Sequence, residues 1–400
     1  MTQPKVRPLW LILFSAGCIV AMAMGLRQVM GLYLRPVTMD LGIGREPFSN
    51  AMGLANLVWG LGAAAVGAIA DRYGAGRVIA GAALCTLAGL VVMSSAQTST
   101  GLMVSGVLLG LGVSGTGITA LVGTVSRAVP VEKRTTAIAT LGMSAGIGGF
   151  IAFPYTHVLI EALGWKTSLV ALAITGVVMV PMAAALRGKP STANGAVRTQ
   201  TLRDAFQEAF ALPSFWLLTI GFFVCGFHVS FYSVHLPAYV QDQGLPAWVG
   251  VWALMAMGAA NIVGTWLAGQ SGRFFQKRVG LSFIYLSRMV LFAAIVYMPV
   301  TPFTVIAVSA VLGLFWLSTV PLTSSMVATF FGTGWMSMLF GFVFLSHQFG
   351  SFAGLWMAGV LYDATHSYNA MWWISAGLGL FAAVLHWPIR ERPVVRLAAA

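Results

Sequence analysis

The sequence predicts an all-α membrane protein in which twelve transmembrane helices form two bundles of six. Hydrophobic residues make up 58% of the chain and charged residues only 8%, whereas a soluble globular domain carries about 25% charged residues. The apolar residues come in long blocks, and about 20 of them cross the roughly 30 Å of hydrocarbon in a bilayer. Because main-chain polar groups in lipid must pair within their own segment, each block predicts a helix.

The apolar blocks predict spans at residues 9–34, 48–70, 78–97, 102–126, 135–159, 167–186, 214–239, 247–270, 279–299, 303–330, 338–362 and 369–388. The longest polar stretch follows the sixth span and separates six spans from six. We therefore expect an N-terminal bundle over residues 1–186, a cytoplasmic linker over 187–213 and a C-terminal bundle over 214–400. Residues 201–210 within the linker have the pattern of a short amphipathic helix on the inner membrane surface.

The basic residues indicate how the chain is oriented in the membrane. Seventeen of the 22 Lys and Arg residues fall in the termini and the loops on one side, three fall on the other side, and Arg27 and Arg288 lie within spans. Cytoplasmic loops carry such an excess, so we expect a multi-pass protein of the bacterial inner (plasma) membrane with both termini inside. The same distribution accounts for the net charge of +12 without binding to nucleic acid.

The loop after span 2 carries a recognisable motif formed by Gly67, Asp71, Arg72, Gly74 and Arg77. Its spacing resembles the G-x-x-x-D-R-x-G-x-R-R signature of the major facilitator superfamily. Gly67 allows close helix approach, and Asp71 can accept hydrogen bonds near a helix N-terminus. The resemblance implies a transporter of two six-helix bundles, with these five residues acting in gating and conformational change.

Further segments resemble the bacterial carriers related to monocarboxylate and oxalate transporters. They are residues 25–37, 41–46, 142–154, 162–165 and 344–368. The chain departs from proton-coupled drug exporters, which place an Arg in span 4 where this chain has Gly106 and a Pro in the glycine run of span 5. It also lacks the span-8 Arg of monocarboxylate carriers, since Asn261 there lies among apolar residues.

Two arginines are the strongest functional candidates in the sequence. All ten acidic residues map to loops or span ends, whereas Arg27 and Arg288 lie inside spans, where a charge is costly and usually functional. Carbonyl groups, polar side chains, water or an anionic substrate must satisfy them, so a bound anion is favoured over a cation. Alternatively, Arg27 reaches the outer headgroups. For Arg288, on a span that is peripheral in the superfamily, binding to neighbouring carbonyls is the favoured alternative.

Polar side chains of other spans complete the candidate substrate site. His228, Tyr232 and His235 follow one another at i, i+4 and i+7 on one helical face, which we expect to line the cavity, a polar contact between helices being the alternative. Asn56 and Asn261 are buried amides that need partners and could serve substrate or structure. His347 and Gln348 lie near the midplane of span 11, and because adjacent residues point in different directions we expect only one of them to face the cavity.

These residues favour a secondary active transporter that moves a small organic anion, a carboxylate, by alternating access with proton symport. A histidine or the substrate itself would carry the proton. Efflux of an amphipathic small molecule and a non-transporting membrane sensor are the alternatives. The sequence holds no phosphate-binding loop, paired carboxylates or Cys/His metal spacing, so we expect no enzymatic activity, no cofactor and no metal. The expected partners are a small anionic substrate, protons and the lipid bilayer, and we expect a monomer.

The charge bias predicts that a cysteine at Ala193 resists membrane-impermeant thiol reagents in intact cells, because the linker faces the cytoplasm. Labelling of whole cells against lysed cells measures this, and Lys166→Cys, in a predicted outer loop, is the control that should label in both. Ready labelling of Ala193→Cys in intact cells would overturn the orientation.

Overall fold

A computed structural model describes residues 8–118, 120–122, 125, 129, 134–186, 201–272, 274–332 and 335–394. The regular elements in these ranges are helices, and no strand occurs among them, which confirms the predicted all-helical fold. The chain divides into two compact units. Unit one comprises Met1–Ile43 and Leu54–Asn194, and unit two comprises Gly44–Gly53 and Gly195–Ala400.

Unit one contains the helices of the first half of the chain. They are α1 (Leu9–Gln28), a 3₁₀ helix (Val29–Tyr33), α2 (Leu34–Leu41), α3 (Arg45–Tyr73), α4 (Ala75–Ser95), α5 (Ser99–Thr116), α6 (Arg134–Gly176) and α7 (Met179–Ala185). Helix α3 is shared, because its residues up to Gly53 cluster with unit two and those from Leu54 with unit one.

Unit two contains the helices of the second half. They are α8 (Leu202–Phe210), α9 (Pro213–Asp242), α10 (Ala247–Ser271), α11 (Lys277–Tyr297), α12 (Pro302–Leu314), α13 (Thr319–Phe331), α14 (Met336–Thr365) and α15 (Asn369–His386).

Ten helical segments of the described chain are long and apolar enough to cross a membrane. They account for eleven of the twelve predicted spans, because the segment Thr140–Ala185 is 46 residues long and contains spans 5 and 6. The remaining span corresponds to α3, whose 29 residues exceed the roughly 20 that a span requires. The chain is a multi-pass membrane protein.

Four predicted spans differ in detail from the single straight helices that the sequence suggested. Span 1 is interrupted by the 3₁₀ helix Val29–Tyr33, and span 10 is interrupted between α12 and α13. Spans 5 and 6 have no long loop between them, since helical structure runs from Arg134 to Gly176 with a break only at Gly164. Gly164 has φ 73°, a left-handed value that glycine adopts without steric cost, so one residue turns the chain.

The predicted amphipathic segment of the linker forms α8. Thr201 caps its first turn, with its hydroxyl accepting a hydrogen bond from the Asp204 N–H in a capping box, which satisfies main-chain donors at the helix start. Phe206 and Phe210 contact Phe342 of α14 at ring-centroid distances of 6.5 and 5.1 Å. The aromatic side of α8 therefore packs on unit two. Linker residues 187–200 lie outside the described residues.

Glycines set the spacing between α9 and α14. A methyl group on Gly226 would meet the main-chain carbonyl of His347, and one on Gly350 would meet that of Phe223. Small residues at such points let membrane helices approach closely, where van der Waals packing replaces the hydrophobic driving force.

Replacing Gly350 with Val should lower stability by about 1–3 kcal/mol, because the added side chain forces backbone apart in a packed interface. Gly341→Val on the same helix is the control, since no atom lies within 4 Å of a methyl group placed there. Thermal unfolding of the purified proteins in detergent measures both. Equal effects of the two substitutions would contradict the role of Gly350 in spacing.

Candidate functional site

Arg27 in unit one lies in the last turn of α1, beside the interruption of span 1. Its Nη2 donates a hydrogen bond of 2.7 Å to Oδ1 of Asn56, and its guanidinium lies 4.7 Å from the ring centroid of Trp59. Asn56 and Trp59 are three residues apart on α3 and therefore share a helical face. The structure thus brings together two of the candidate residues, Arg27 and Asn56, and adds an aromatic wall.

The charge of Arg27 has no carboxylate partner among the residues that the structure describes. A guanidinium has five N–H donors, and the described hydrogen bonds use one of them. The side chain is only partly buried. The contacts therefore orient the guanidinium without neutralising it.

Arg288 of α11 has a different environment in unit two. Its side chain is completely buried, and it donates from Nε and Nη2 to the carbonyl of Phe315 at 3.1 and 2.7 Å and from Nη2 to the carbonyl of Trp316. Phe315 and Trp316 lie between α12 and α13, where span 10 is interrupted. Arg288 thus supplies donors to carbonyls that have no helical partner.

Asn261 of α10 provides a further hydrogen-bond partner at the same interruption of span 10. Its Oδ1 accepts a hydrogen bond of 2.8 Å from the Leu317 N–H, and the Ser318 hydroxyl donates to the Leu314 carbonyl at 2.6 Å. Buried main-chain groups that lose their helical partner need another one. Asn261 and Arg288 provide it here, so the described contacts of both residues are structural.

Two of the three polar residues on one face of α9 pack inside unit two. His228 Nε2 lies 2.9 Å from the Ser375 carbonyl, and the Tyr232 hydroxyl is 2.8 Å from Ser309 Oγ. These contacts place the face against α12 and α15. They are polar contacts between helices, the alternative that the sequence offered to a face lining the cavity. Tyr232 also borders a small, predominantly apolar pocket, together with Leu236, Tyr239, Ile295, Met298, Pro299, Val300, Thr304, Val305 and Val308.

The third residue of that face, His235, belongs to a polar network with the first turns of α3. His235 Nδ1 lies 2.8 Å from the Tyr368 hydroxyl, and its Nε2 lies 3.2 Å from Ser49 Oγ. The Ser49 hydroxyl donates to the Arg45 carbonyl at 2.8 Å, and Arg45 Nη1 donates to the Tyr368 hydroxyl at 2.7 Å. His235 is therefore joined to Arg45 along two routes.

Arg45 is the centre of this network. Its Nη1 and Nη2 donate to the two carboxylate oxygens of Asp242, each at 2.7 Å, and its guanidinium lies 3.6 Å from the ring centroid of Tyr362. Burial lowers the pKa of the Arg45 guanidinium, but the hydrogen bonds to Asp242 and Tyr368 outweigh it, so the pKa is raised overall. For the Tyr368 hydroxyl, burial raises the pKa, so the hydroxyl keeps its proton.

A second carboxylate fixes the start of α3 in unit two. Asp363 accepts from the main-chain N–H groups of Arg45 and Glu46 at 2.7 and 2.8 Å. A carboxylate at a helix N-terminus satisfies unpaired donors and interacts favourably with the helix dipole. We name the set Arg45, Ser49, His235, Asp242, Asp363 and Tyr368 the α3 anchor.

Sequence reasoning missed most of the α3 anchor, because Arg45, Asp242 and Asp363 were placed in loops or at span ends. A signal was nevertheless present. Arg45 lies in the 41–46 segment, and Asp363 and Tyr368 lie in the 344–368 segment, which are two of the five stretches that resemble the monocarboxylate and oxalate carriers. The structure shows that these distant stretches contact one another.

The last two candidates, His347 and Gln348, are neighbours on α14 and contact each other. His347 Nδ1 lies 3.0 Å from Oε1 of its neighbour Gln348, and its ring stacks on Phe344 at a centroid distance of 5.6 Å. No group of three or more His, Cys, Asp or Glu residues that could hold a metal occurs within the described ranges.

The motif after span 2 is described in part. Gly67, Asp71 and Arg72 lie in the final turns of α3, and their side chains fall outside the described part of the structure. Gly74 joins α3 to α4 with φ 93°, a conformation that favours glycine, and Arg77 is exposed in the first turn of α4. The gating role of these residues stays a prediction.

Comparison with known proteins identifies the family. Residues 9–355 match the model of the Major Facilitator Superfamily. The chain belongs to this superfamily. It is therefore a member of a transporter family and not an enzyme. Its resemblance to the monocarboxylate and oxalate carriers remains a hypothesis.

One curated relative is the inner membrane transport protein YajR of Escherichia coli (strain K12), which is 26% identical over 254 residues. The match covers 59% of this chain and 53% of YajR, about half of that relative's length.

Solved structures share the fold at low sequence identity. The nucleoside transporter NupG superposes with a TM-score of 0.78 at 13% identity, over 94% of this chain and 99% of that one. The D-xylose–proton symporter superposes with a TM-score of 0.77 at 11% identity, over 96% and 99%. A bacterial homologue of the human lysosomal transporter Spinster gives 0.75 at 13% identity, over 96% and 95%.

The different contacts of the two arginines predict different effects on stability. Arg288→Met should cost about 2 kcal/mol or more, because it leaves two buried carbonyls without donors. Arg27→Met should cost markedly less, because one side-chain acceptor loses its bond at a partly buried position. Thermal unfolding in detergent tests the comparison, and an Arg27→Met protein as unstable as Arg288→Met would contradict it.

Proposed function

We propose that the protein is a secondary active transporter of the bacterial inner membrane that takes up a small organic anion, a carboxylate, together with a proton. The observation that carries the proposal is Arg27, an oriented cation within a span that no described carboxylate neutralises. An anionic substrate supplies the missing charge. In this proposal the two bundles, 1–186 and 214–400, alternate access around the substrate, and the linker and both termini face the cytoplasm.

The contrast with Arg288 supports the choice of Arg27. Both arginines lie near an interruption of a span. The main-chain groups of the span 10 interruption use the Arg288 guanidinium, whereas the backbone of the span 1 interruption continues as a 3₁₀ helix with its own hydrogen bonds. Arg27 is thus left to bind something else, and interrupted helices commonly border substrate sites in transporters.

Asn56 and Trp59 have positioning roles in this proposal. A guanidinium recognises a carboxylate through two parallel N–H···O bonds, which require its plane to be fixed. The Asn56 bond and the Trp59 ring restrict that plane, so less conformational freedom is lost when substrate binds. The Trp59 ring also provides an apolar surface beside the charge for the carbon skeleton of a small acid.

The comparisons are consistent with location and coupling. YajR is named an inner membrane transport protein, and the structural neighbour at a TM-score of 0.77 is named a D-xylose–proton symporter. Uptake of an anion with at least one proton removes the cost of moving net negative charge into a cell whose interior is negative.

Arg27→Lys should reduce uptake of a radiolabelled carboxylate in proteoliposomes about tenfold or more, because the ammonium keeps the charge but loses the planar two-pronged geometry. Arg27→Gln should abolish binding. Lys166→Gln is the control, since that exposed lysine pairs with Asp40 at 2.8 Å and its charge can be removed without touching Arg27. Unchanged uptake in Arg27→Gln would show that Arg27 only reaches toward headgroups.

The substrate class is tested separately by thermal stabilisation of the purified protein with a panel of carboxylates and of cationic amphipathic compounds. Carboxylates should stabilise the wild type and not Arg27→Gln. Stabilisation by the cationic compounds alone would instead favour the efflux alternative.

A further inference from the structure

The α3 anchor requires one particular state of His235. Arg45 donates to the Tyr368 hydroxyl, and the only other described contact of that hydroxyl is His235 Nδ1. The Tyr368 hydroxyl has one proton, and it finds an acceptor when it donates to His235 Nδ1. Nδ1 must then carry no proton of its own. A neutral imidazole has one donor and one acceptor nitrogen.

The other ring nitrogen fits the same state. The Ser49 hydroxyl donates its proton to the Arg45 carbonyl, so Ser49 Oγ is free to accept from His235 Nε2, and the Leu355 carbonyl also faces the ring. Every hydrogen of this part of the anchor then has an acceptor if His235 is neutral and carries its proton on Nε2.

Protonation of His235 is incompatible with this arrangement. A proton on Nδ1 would face the proton of the Tyr368 hydroxyl, whose oxygen would then have to accept from both His235 and Arg45. It would also place a second positive charge near Arg45, in a buried region where charges interact more strongly than in water.

The charged and titratable groups around His235 come from four parts of unit two. They are Arg45 and Glu46 on α3, Tyr239 and Asp242 on α9, Tyr362 and Asp363 on α14, and Tyr368 before α15. The two carboxylates nearest Arg45 already bind the Arg45 side chain and main chain. None of the described contacts of His235 is with a carboxylate, so protonating the ring gains no ion pair to offset the broken bonds.

We infer that the protonation state of His235 controls the packing of the first turns of α3: neutral His235 holds residues 44–53 in unit two, and protonated His235 loosens them. Histidine is the side chain that changes charge between about pH 5 and pH 8. The buried ring resists protonation while the anchor is closed, so the proton binds when the first turns of α3 open, and opening becomes more favourable as the pH falls through that range. The inference concerns conformation and does not depend on the substrate, although it would supply the proton-binding group that the proposed symport requires.

Hydrogen exchange of the purified full-length protein in nanodiscs, followed by mass spectrometry at about pH 7.5 and about pH 5, tests this, with rates corrected for the intrinsic pH dependence of exchange. Peptides covering residues 44–53 should exchange about tenfold faster at the lower pH in the wild type. His235→Gln keeps hydrogen-bonding capacity but cannot titrate, and its ratio should fall below about twofold. His386→Gln should behave as wild type, because that buried histidine bonds the Ala382 carbonyl of its own helix at 2.7 Å.

Tyr368→Phe gives an independent readout, since it removes the hydroxyl that joins His235 to Arg45. Its residues 44–53 should exchange quickly at both pH values, with a pH ratio below about twofold. A wild-type protein without a pH response would overturn the inference. So would a full response in His235→Gln, which would assign the effect to Asp242 or Asp363. No substrate is present in these measurements, so failure of the Arg27 experiment would leave them unaffected.

Discussion

The membrane interior offers no water to main-chain N–H and C=O groups, and this single constraint governs most of what is unusual in the structure. Each unpaired group costs several kcal/mol in hydrocarbon. At the interruption between α12 and α13, Arg288 and Asn261 supply the missing partners. The interruption at Val29–Tyr33 has a different solution, in which the chain changes to 3₁₀ hydrogen bonding. The main-chain carbonyls of the span 10 interruption use the donors of Arg288. The span 1 interruption pairs within its own backbone, so the donors of Arg27 remain available to another group.

The same requirement explains why polar side chains of unit two occur in groups. The α3 anchor satisfies a helix N-terminus with Asp363 and a guanidinium with Asp242, and its hydroxyl and imidazole groups connect the two. Such a network in a region of low dielectric is stable when every member has a partner and costly when one does not. A change at one member therefore affects the whole group, which makes the anchor responsive to a single proton.

Helix number and class could be predicted from the sequence, because blocks of about 20 apolar residues have few alternatives in a bilayer. The interruptions of spans 1 and 10 could not, since residues 29–33 and 315–318 are as apolar as their surroundings. The pairing of Arg27 with Asn56 was also beyond reach, because it depends on how α1 and α3 pack. Arg45 was overlooked for a related reason: a charged residue at a span end reads as solvated until its distant partners, Asp242 and Tyr368, are known.

The interruption of span 10 also determines which substitutions the chain tolerates there. Arg288 and Asn261 bind main-chain atoms of residues 315–317, and main-chain atoms are the same whatever side chain a residue carries. The side chains of Phe315 and Leu317 are thus free to change as far as these bonds are concerned, while the two residues that bind them are not. A proline at position 317 is the exception, because it removes the N–H that donates to Oδ1 of Asn261. Sequence variation here should fall on the interrupted segment itself and spare the residues on α10 and α11 that hold it.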